Sequence, residues 1–156
     1  MDADPRWLND EEMRAWMGYR RLRLLLDAQT ARDLQHDSGL SVADYDVLST
    51  LSEASDNRGR LTRLAARMQW SKSRLSRHIT RMEQRGLVTR EECATDGRGA
   101  TVVLTEHGLR TLREAAPHHV ESVRRHFVDR LTPDQLAAFA AVAETVLAHL
   151  SDPQDP

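Results

Sequence analysis

The stretch Trp70-Ser71-Lys72-Ser73-Arg74-Leu75-Ser76-Arg77-His78-Ile79-Thr80-Arg81-Met82-Glu83-Gln84-Arg85-Gly86 restricts the fold of this chain more than any other. Leu75, Ile79 and Met82 recur at i, i+4 and i+7, which places them on one side of a helix. Ser71 suits the N-cap, because its hydroxyl accepts from an orphan N–H of the first turn. Gly86 suits the residue after the C-cap, where the left-handed conformation stops a helix. Lys72, Ser73, Arg74, Arg77, His78 and Arg81 are expected on the opposite side. One side of such a helix belongs to a core and the other faces an anion, and the polyanion that calls for directed arginine contacts is DNA. The competing reading is a solvated basic face on an ordinary amphipathic helix, so the flanking segments have to decide.

Charge distribution is the first such context. The chain of 156 residues has a formal net charge of −2, which by itself says nothing about nucleic acid. Between Arg58 and Arg98, however, eleven basic residues face four acidic ones, a balance of +7. The remainder holds eleven basic residues against twenty acidic ones, a balance of −9. A basic block in an acidic chain suggests a localised polyanion site. Arginine abundance is a weaker sign, since Lys72 is the single lysine among 22 basic residues.

The segments before the basic helix supply a second context. Asn9 and Glu12 form a capping-box pattern that opens a long helix running to about His36. It carries Met13, Met17, Leu24, Ala28 and Ala31 near one side, and Tyr19, Leu22 and Leu26 on another. A helix apolar on two sides needs two partners, which points to a second subunit. Ser41, with Asp44 three residues on, starts another helix, with Tyr45, Val47, Leu48 and Leu51 facing inward. Asp56-Asn57-Arg58-Gly59 reads as the turn that ends it. Thr62 is then read as the cap of a short helix carrying Leu64, Ala65 and Met68. A short helix, a tight turn at Gln69-Trp70 and a second helix with an exposed polar side form a helix-turn-helix arrangement.

Beyond Gly86 the pattern becomes extended. Leu87-Val88-Thr89-Arg90-Glu91 and Thr101-Val102-Val103-Leu104 read as paired strands. The loop between them, Ala94 to Ala100, holds two glycines and Arg98 near its tip. A hairpin placed there is a wing, and an arginine at its tip suits a narrow minor groove. Thr105 is expected to cap a helix with Leu109, Leu112, Ala116, Val120, Val123 and Phe127 at helical spacing, kinked at Pro117. Thr132-Pro133-Asp134-Gln135 starts the last helix, with Leu136, Phe139, Ala140, Ala143, Val146, Leu147 and Leu150 along one side. Ser151 to Pro156 reads as a frayed tail. The expected fold is therefore mainly α with a small β-hairpin wing.

In that order of elements the sequence resembles the MarR family of winged helix-turn-helix transcription regulators. The likeness rests on Leu64-Ala65, on Ser71, Ser73 and Leu75-Ser76, and on Arg85-Gly86-Leu87-Val88. Its most diagnostic piece is Asp96-x-Arg98 followed by Leu104-Thr105. Gln69 departs from it, at a turn position where the family often has glycine. The resemblance implies an N-terminal dimerisation helix (1–40), a DNA-binding module (41–105) and C-terminal dimerisation helices with the tail (106–156). It further implies a homodimer on a pseudo-palindromic operator in double-stranded DNA, usually as a repressor, released by a small molecule or an oxidant.

Reach assigns the candidate roles. Ser71, Lys72, Ser73, Arg74, Arg77 and His78 are candidates for the major groove, with Arg74 and Arg77 as base readers. Thr62, Arg63 and Arg81 are candidates for phosphate contacts. Arg98 is the minor-groove candidate, with Asp96 holding the loop or the arginine. For Arg81 and Arg85, solvation or pairing with Glu83 and its neighbours stands as an equal reading. Trp16, Tyr19, Tyr45 and His119, together with Trp7, are candidates for an effector pocket, each with core or dimer packing as its alternative.

Other chemistry is set aside. Cys93 is the single cysteine, and Glu91 and Glu92 beside it disfavour a reactive thiolate. His118, His119 and His126 lack accompanying acidic or thiol groups at ligand spacing, so no metal or other cofactor is expected. No nucleophile motif or phosphate loop suggests an enzyme. No run approaches the ~18 apolar residues of a membrane span, and the first residues lack signal-peptide character, so a cytoplasmic protein is expected. The remaining alternative function is a winged-helix dimer that serves protein interaction without an operator of its own.

Overall fold

The computed structural model describes residues 5–92 and 99–151. Its elements are α1 (Asp10–Ser38), α2 (Val42–Ser52), β1 (Arg58–Arg60), α3 (Leu61–Arg67), α4 (Lys72–Gln84), β2 (Val88–Glu92), β3 (Ala100–Leu104), α5 (Glu106–His126), a 3-10 turn (Val128–Arg130) and α6 (Pro133–Ser151). The fold is mainly helical with a small antiparallel sheet, as expected for a winged helix-turn-helix. Wing-loop residues 93–98, with Cys93, Asp96 and Arg98, and the tail after Ser151 lie outside the described residues. Two compact units form: Ala31–Val120, and the pair of segments Met1–Thr30 and Glu121–Pro156.

Every buried hydrophobic side chain among the described residues belongs to the Ala31–Val120 unit. Leu75, Ile79 and Met82 of α4 are fully buried there, as their spacing predicts, against Val47, Leu48 and Leu51 of α2 and Leu64 of α3. Each such side chain stabilises the unit by about 1.5–3 kcal/mol. Local chemistry then fixes where the helices begin and end. The capping boxes of α1 and α6 form as expected, between Asn9 and Glu12 and between Thr132 and Gln135. Thr105 caps α5 by accepting from the Gly108 N–H at 2.9 Å, and α5 continues as one helix through Pro117.

The sheet has three strands in the order β1-β3-β2, all antiparallel. The third strand corrects the expected two-stranded wing, because Arg58–Gly59 was read as a turn and instead enters β1. Arg-Gly-Arg has no β-branched or alternating signal to reveal it. The strand exists because a glycine lets its backbone approach the core: a Cβ at Gly59 would lie 3.0 Å from Leu51 and 3.5 Å from Leu64. Thr62 is also corrected as a cap. Arg60 occupies the N-cap of α3 without a side-chain bond, and Thr62 lies inside the helix.

The two helix ends of the helix-turn-helix share one geometry. After α4, Gly86 at φ +70° donates to Glu83 O at 2.9 Å, and Leu87 donates to Met82 O at 3.0 Å. After α3, Gln69 at φ +53° donates to Ala66 O at 3.1 Å, and Trp70 donates to Ala65 O at 2.9 Å. Both are Schellman turns, in which the residue past the cap must be left-handed. Glycine adopts that conformation freely, whereas a side chain there costs about 1 kcal/mol. The Gln69 amide offsets part of this by donating to Ala66 O at 2.9 Å. Gln69→Gly is therefore expected to raise stability by about 0.5–1 kcal/mol, read as a shift of the urea midpoint at constant slope.

Candidate nucleic-acid interface

The outward side of α4 is built by the burial of its inward side. With Leu75, Ile79 and Met82 in the core, Lys72, Ser73, Arg74, Arg77 and Arg81 are left exposed together. The Ser71 hydroxyl fixes the start of the helix by accepting from the Arg74 N–H at 3.2 Å, and it lies 3.2 Å from the Ser73 hydroxyl. Thr62 and Arg63 are exposed on α3. Lys72 and Arg77 make no ion pair with any described residue. The guanidinium of Arg74 lies over the Trp70 ring, 3.8 Å from its centroid.

Among the described DNA-binding candidates, His78 is the one whose expected placement fails. It was expected outward with the groove-facing residues, and the structure buries it at 6% exposure. Its neighbour in the fold explains this, for His78 Nε2 lies 3.1 Å from Asp44 Oδ1, off the ideal hydrogen-bond line. An edge-on contact with Trp70, at 5.6 Å between ring centroids, covers another side. His78 is thus a core residue of the interface helix rather than a groove contact.

From sequence, Asp44 is recognisable only as a helix-start residue. It completes the α2 capping box with Ser41, and its Oδ2 also accepts from Arg85 at 2.7 Å. Arg85 donates a second bond to Gly39 O at 3.0 Å. Arg85 therefore follows its pairing reading, with Asp44 as the partner in place of Glu83. Arg90 of β2 takes Glu83 instead, at 3.4 Å. The same guanidinium donates to Ser76 O and to the Thr80 hydroxyl, clipping the wing base to α4.

Sequence reasoning also gave no sign of an open groove of about 1110 Å³ between the end of α2, β1 and α3. Arg58, Arg60, Arg63 and Arg67 line it. Arg58 pairs with Glu91 across the sheet, and Arg67 pairs with Glu53 at 3.0 Å. Of the effector-pocket candidates, Tyr45 and His119 meet, with ring centroids 4.5 Å apart. Burial and then the nearby Asp46 raise the Tyr45 pKa. His119 Nδ1 is buried without a hydrogen-bond partner. Trp16 and Tyr19 stack on each other in the other unit, at 5.8 Å. Trp7 is 80% exposed. Among the described residues no group of three or more His, Cys, Asp or Glu could hold a metal ion, and no helix is long and apolar enough to cross a membrane.

Comparison with known proteins bears on this arrangement directly. The MarR family model matches residues 38–99, from the end of α1 to the wing. AbsC, a MarR family transcriptional regulator from Streptomyces coelicolor, is 48% identical, with 94% of this chain and 98% of that chain covered at a TM-score of 0.87. This chain belongs to the MarR family of transcriptional regulators. Sco3205, a MarR family transcriptional regulator from the same organism solved in complex with DNA, is 37% identical over 98% of this chain and 96% of its own, at a TM-score of 0.90. The transcriptional regulator HosA of Escherichia coli is 29% identical over 129 residues, 83% of this chain and 93% of that protein.

Within this MarR family chain, the stability of the interface helix is tied to one carboxylate. Burial alone would raise the Asp44 pKa, but the close approach of the His78 ring and hydrogen bonds from Ser41 and Arg85 outweigh it and hold the group well below its ordinary 3.8. A carboxyl depressed in the folded state contributes stability that is fully present above the unfolded pKa and is lost as pH falls towards the folded one. Asp44→Asn is expected to cost about 3 kcal/mol at pH 7. It should also flatten the fall in stability below about pH 4, as read from denaturant unfolding at a series of pH values.

Proposed function

We propose that this MarR family regulator binds double-stranded DNA sequence-specifically as a homodimer on a pseudo-palindromic operator, acts as a repressor, and is released by a small-molecule effector. The observation that carries the reading is the exposed row Lys72, Arg74, Arg77 and Arg81 on a helix whose opposite side is fully buried. Such a helix is rigidly held and presents guanidinium forks to a groove. Arg74 and Arg77 read bases, Arg81, Thr62 and Arg63 contact phosphates, and Ser71, Lys72 and Ser73 lie at the leading turn. Arg98 is the minor-groove residue of this reading. That the 37% identical Sco3205 was solved in complex with DNA supports the DNA-binding part of this reading.

The dimer reading is favoured by the unit formed from Met1–Thr30 and Glu121–Pro156. None of its described hydrophobic side chains is buried, and Leu24, Val142 and Leu150 are each more than 60% exposed. Apolar exposure on that scale marks an association surface. A symmetric pair would set two α4 helices about one duplex turn apart. Tyr45 and His119, and Trp16 with Tyr19, remain the candidates for the effector.

The test begins with a duplex that the wild-type protein selects from a random-sequence pool. Selection of an inverted repeat, with affinity falling steeply as salt rises, is the expected result. Arg77→Ala should cost about 1–3 kcal/mol of specific binding and relax one base position. Light scattering should give about twice the 17.7 kDa chain mass. Failure to select any sequence, or unchanged affinity in the Arg77 variant, overturns the reading.

A further inference from the structure

Two rings lie between the outward arginines of α4 and its core. Trp70, in the turn before the helix, and His78, on it, meet edge to face at an interplanar angle of 83°. Arg74 stacks on the Trp70 face at 3.8 Å. Nη2 of Arg81 lies 3.2 Å from His78 Nδ1. Behind the histidine, Nε2 is 3.1 Å from the Asp44 carboxylate, whose other oxygen is held by Arg85.

A guanidinium has only donors, so Arg81 requires a lone pair on His78 Nδ1. A tautomer with its proton on Nε2, the nitrogen facing Asp44, meets that requirement. We propose that His78 and Trp70 are positioning residues for DNA recognition: the Nε2–H tautomer of His78, oriented by Asp44, fixes the guanidinium of Arg81, and the Trp70 face fixes that of Arg74. The inference rests on the DNA-binding reading above and adds to it the groups that orient its arginines.

The chemistry suits the task. A free arginine side chain carries about 2 kcal/mol of rotamer entropy that a bound one gives up. Stacking on Trp70 uses only the π face of Arg74, so it consumes none of the five N–H donors in the guanidinium plane. Arg81 yields one donor to His78 and keeps the others. The two guanidinium groups are thus restrained before any contact forms, which reduces the ordering cost of binding. His78 itself touches no nucleic acid in this scheme.

A double-mutant cycle on the full chain tests the link, using the duplex selected by the wild type. His78→Gln keeps an amide donor at the position of Nε2 and removes the acceptor offered to Arg81. It is expected to weaken binding about 3- to 10-fold while the thermal melt stays close to that of the wild type. Arg81→Ala should weaken binding too, and the double variant should bind no worse than Arg81→Ala alone. Additive losses, or wild-type affinity in His78→Gln, overturn the positioning role while leaving DNA binding in place. Failure of the wild type to select any duplex removes the underlying reading instead. Should His78→Gln not fold, ¹⁵N–¹H correlation of the wild-type imidazole decides the matter. An unprotonated, pyridine-type Nδ1 supports the scheme, and a protonated Nδ1 ends it.

Discussion

The carboxylate of Asp44 is the point at which the helix-turn-helix unit is tied together. It is 4% exposed, and it meets three demands at once. It closes the N-terminus of α2, it faces the imidazole of His78 on α4, and it receives Arg85 from the end of that helix. A buried carboxylate with no partner would cost several kcal/mol, so its position makes the approach of α2 and α4 nearly obligatory. Arg85 extends the tie to Gly39 O, at the corner between α1 and α2. The start of α2 and the middle and end of α4 therefore refer to one side chain.

The wing is referred to the same helix by a separate device. Arg90 faces the core side of the sheet and engages Ser76 O, the Thr80 hydroxyl and Glu83. At the other end of the wing strand, the Thr105 hydroxyl donates to Gly86 O at 2.7 Å while accepting from Gly108. The close approach of α5 at that junction needs glycine, since a Cβ at Gly108 would lie 2.1 Å from Leu87 O. With Asp44 on one side and Arg90 on the other, α4 is restrained along its length by polar contacts as well as by its apolar stripe. A helix that must present side chains to a groove at fixed spacing benefits from that restraint, because angular freedom about its axis would blur which residues face outward.

How much of this was legible in the sequence follows from the range of each signal. Ser71, Gly86, Asn9 with Glu12 and Thr132 with Gln135 are local devices whose partners lie within a turn, and all of them form as read. The stripe Leu75, Ile79 and Met82 was equally legible from period alone. His78 was not, because its burial depends on Asp44, thirty-four positions earlier, and a histidine amid arginines reads as solvent-facing. β1 was hidden for a different reason. Its three residues owe their pairing to β3 and to the small size of Gly59, neither of which leaves a periodic trace. Thr62 shows the opposite error, a residue type suited to capping that the fold places two residues past the N-cap. The left-handed position of Gln69 was foreshadowed by its departure from glycine, although only the bond pattern shows why the turn demands that conformation.

Formal charge overstated one property and concealed another. The +7 balance between Arg58 and Arg98 suggests a diffuse basic field, yet many of its members are engaged inside the fold. Arg58 is neutralised by Glu91, Arg67 by Glu53, Arg85 by Asp44 and Arg90 by Glu83. The exposed pairs, Arg58 with Glu91 and Arg67 with Glu53, add little to stability, but all four remove positive charge from the sheet and from the back of the helix. The cations on the described outward side of α4 are Lys72, Arg74, Arg77 and Arg81, and the one acidic residue of that helix faces Arg90. Internal pairing thus leaves the row on α4 as the largest group of unpaired cations among the described residues of that segment, with Arg60 and Arg63 at the start of α3 outside it. A narrow row fixes register on a duplex better than a diffuse patch would, because displacement along or around the helix axis takes several charges out of reach of phosphate together.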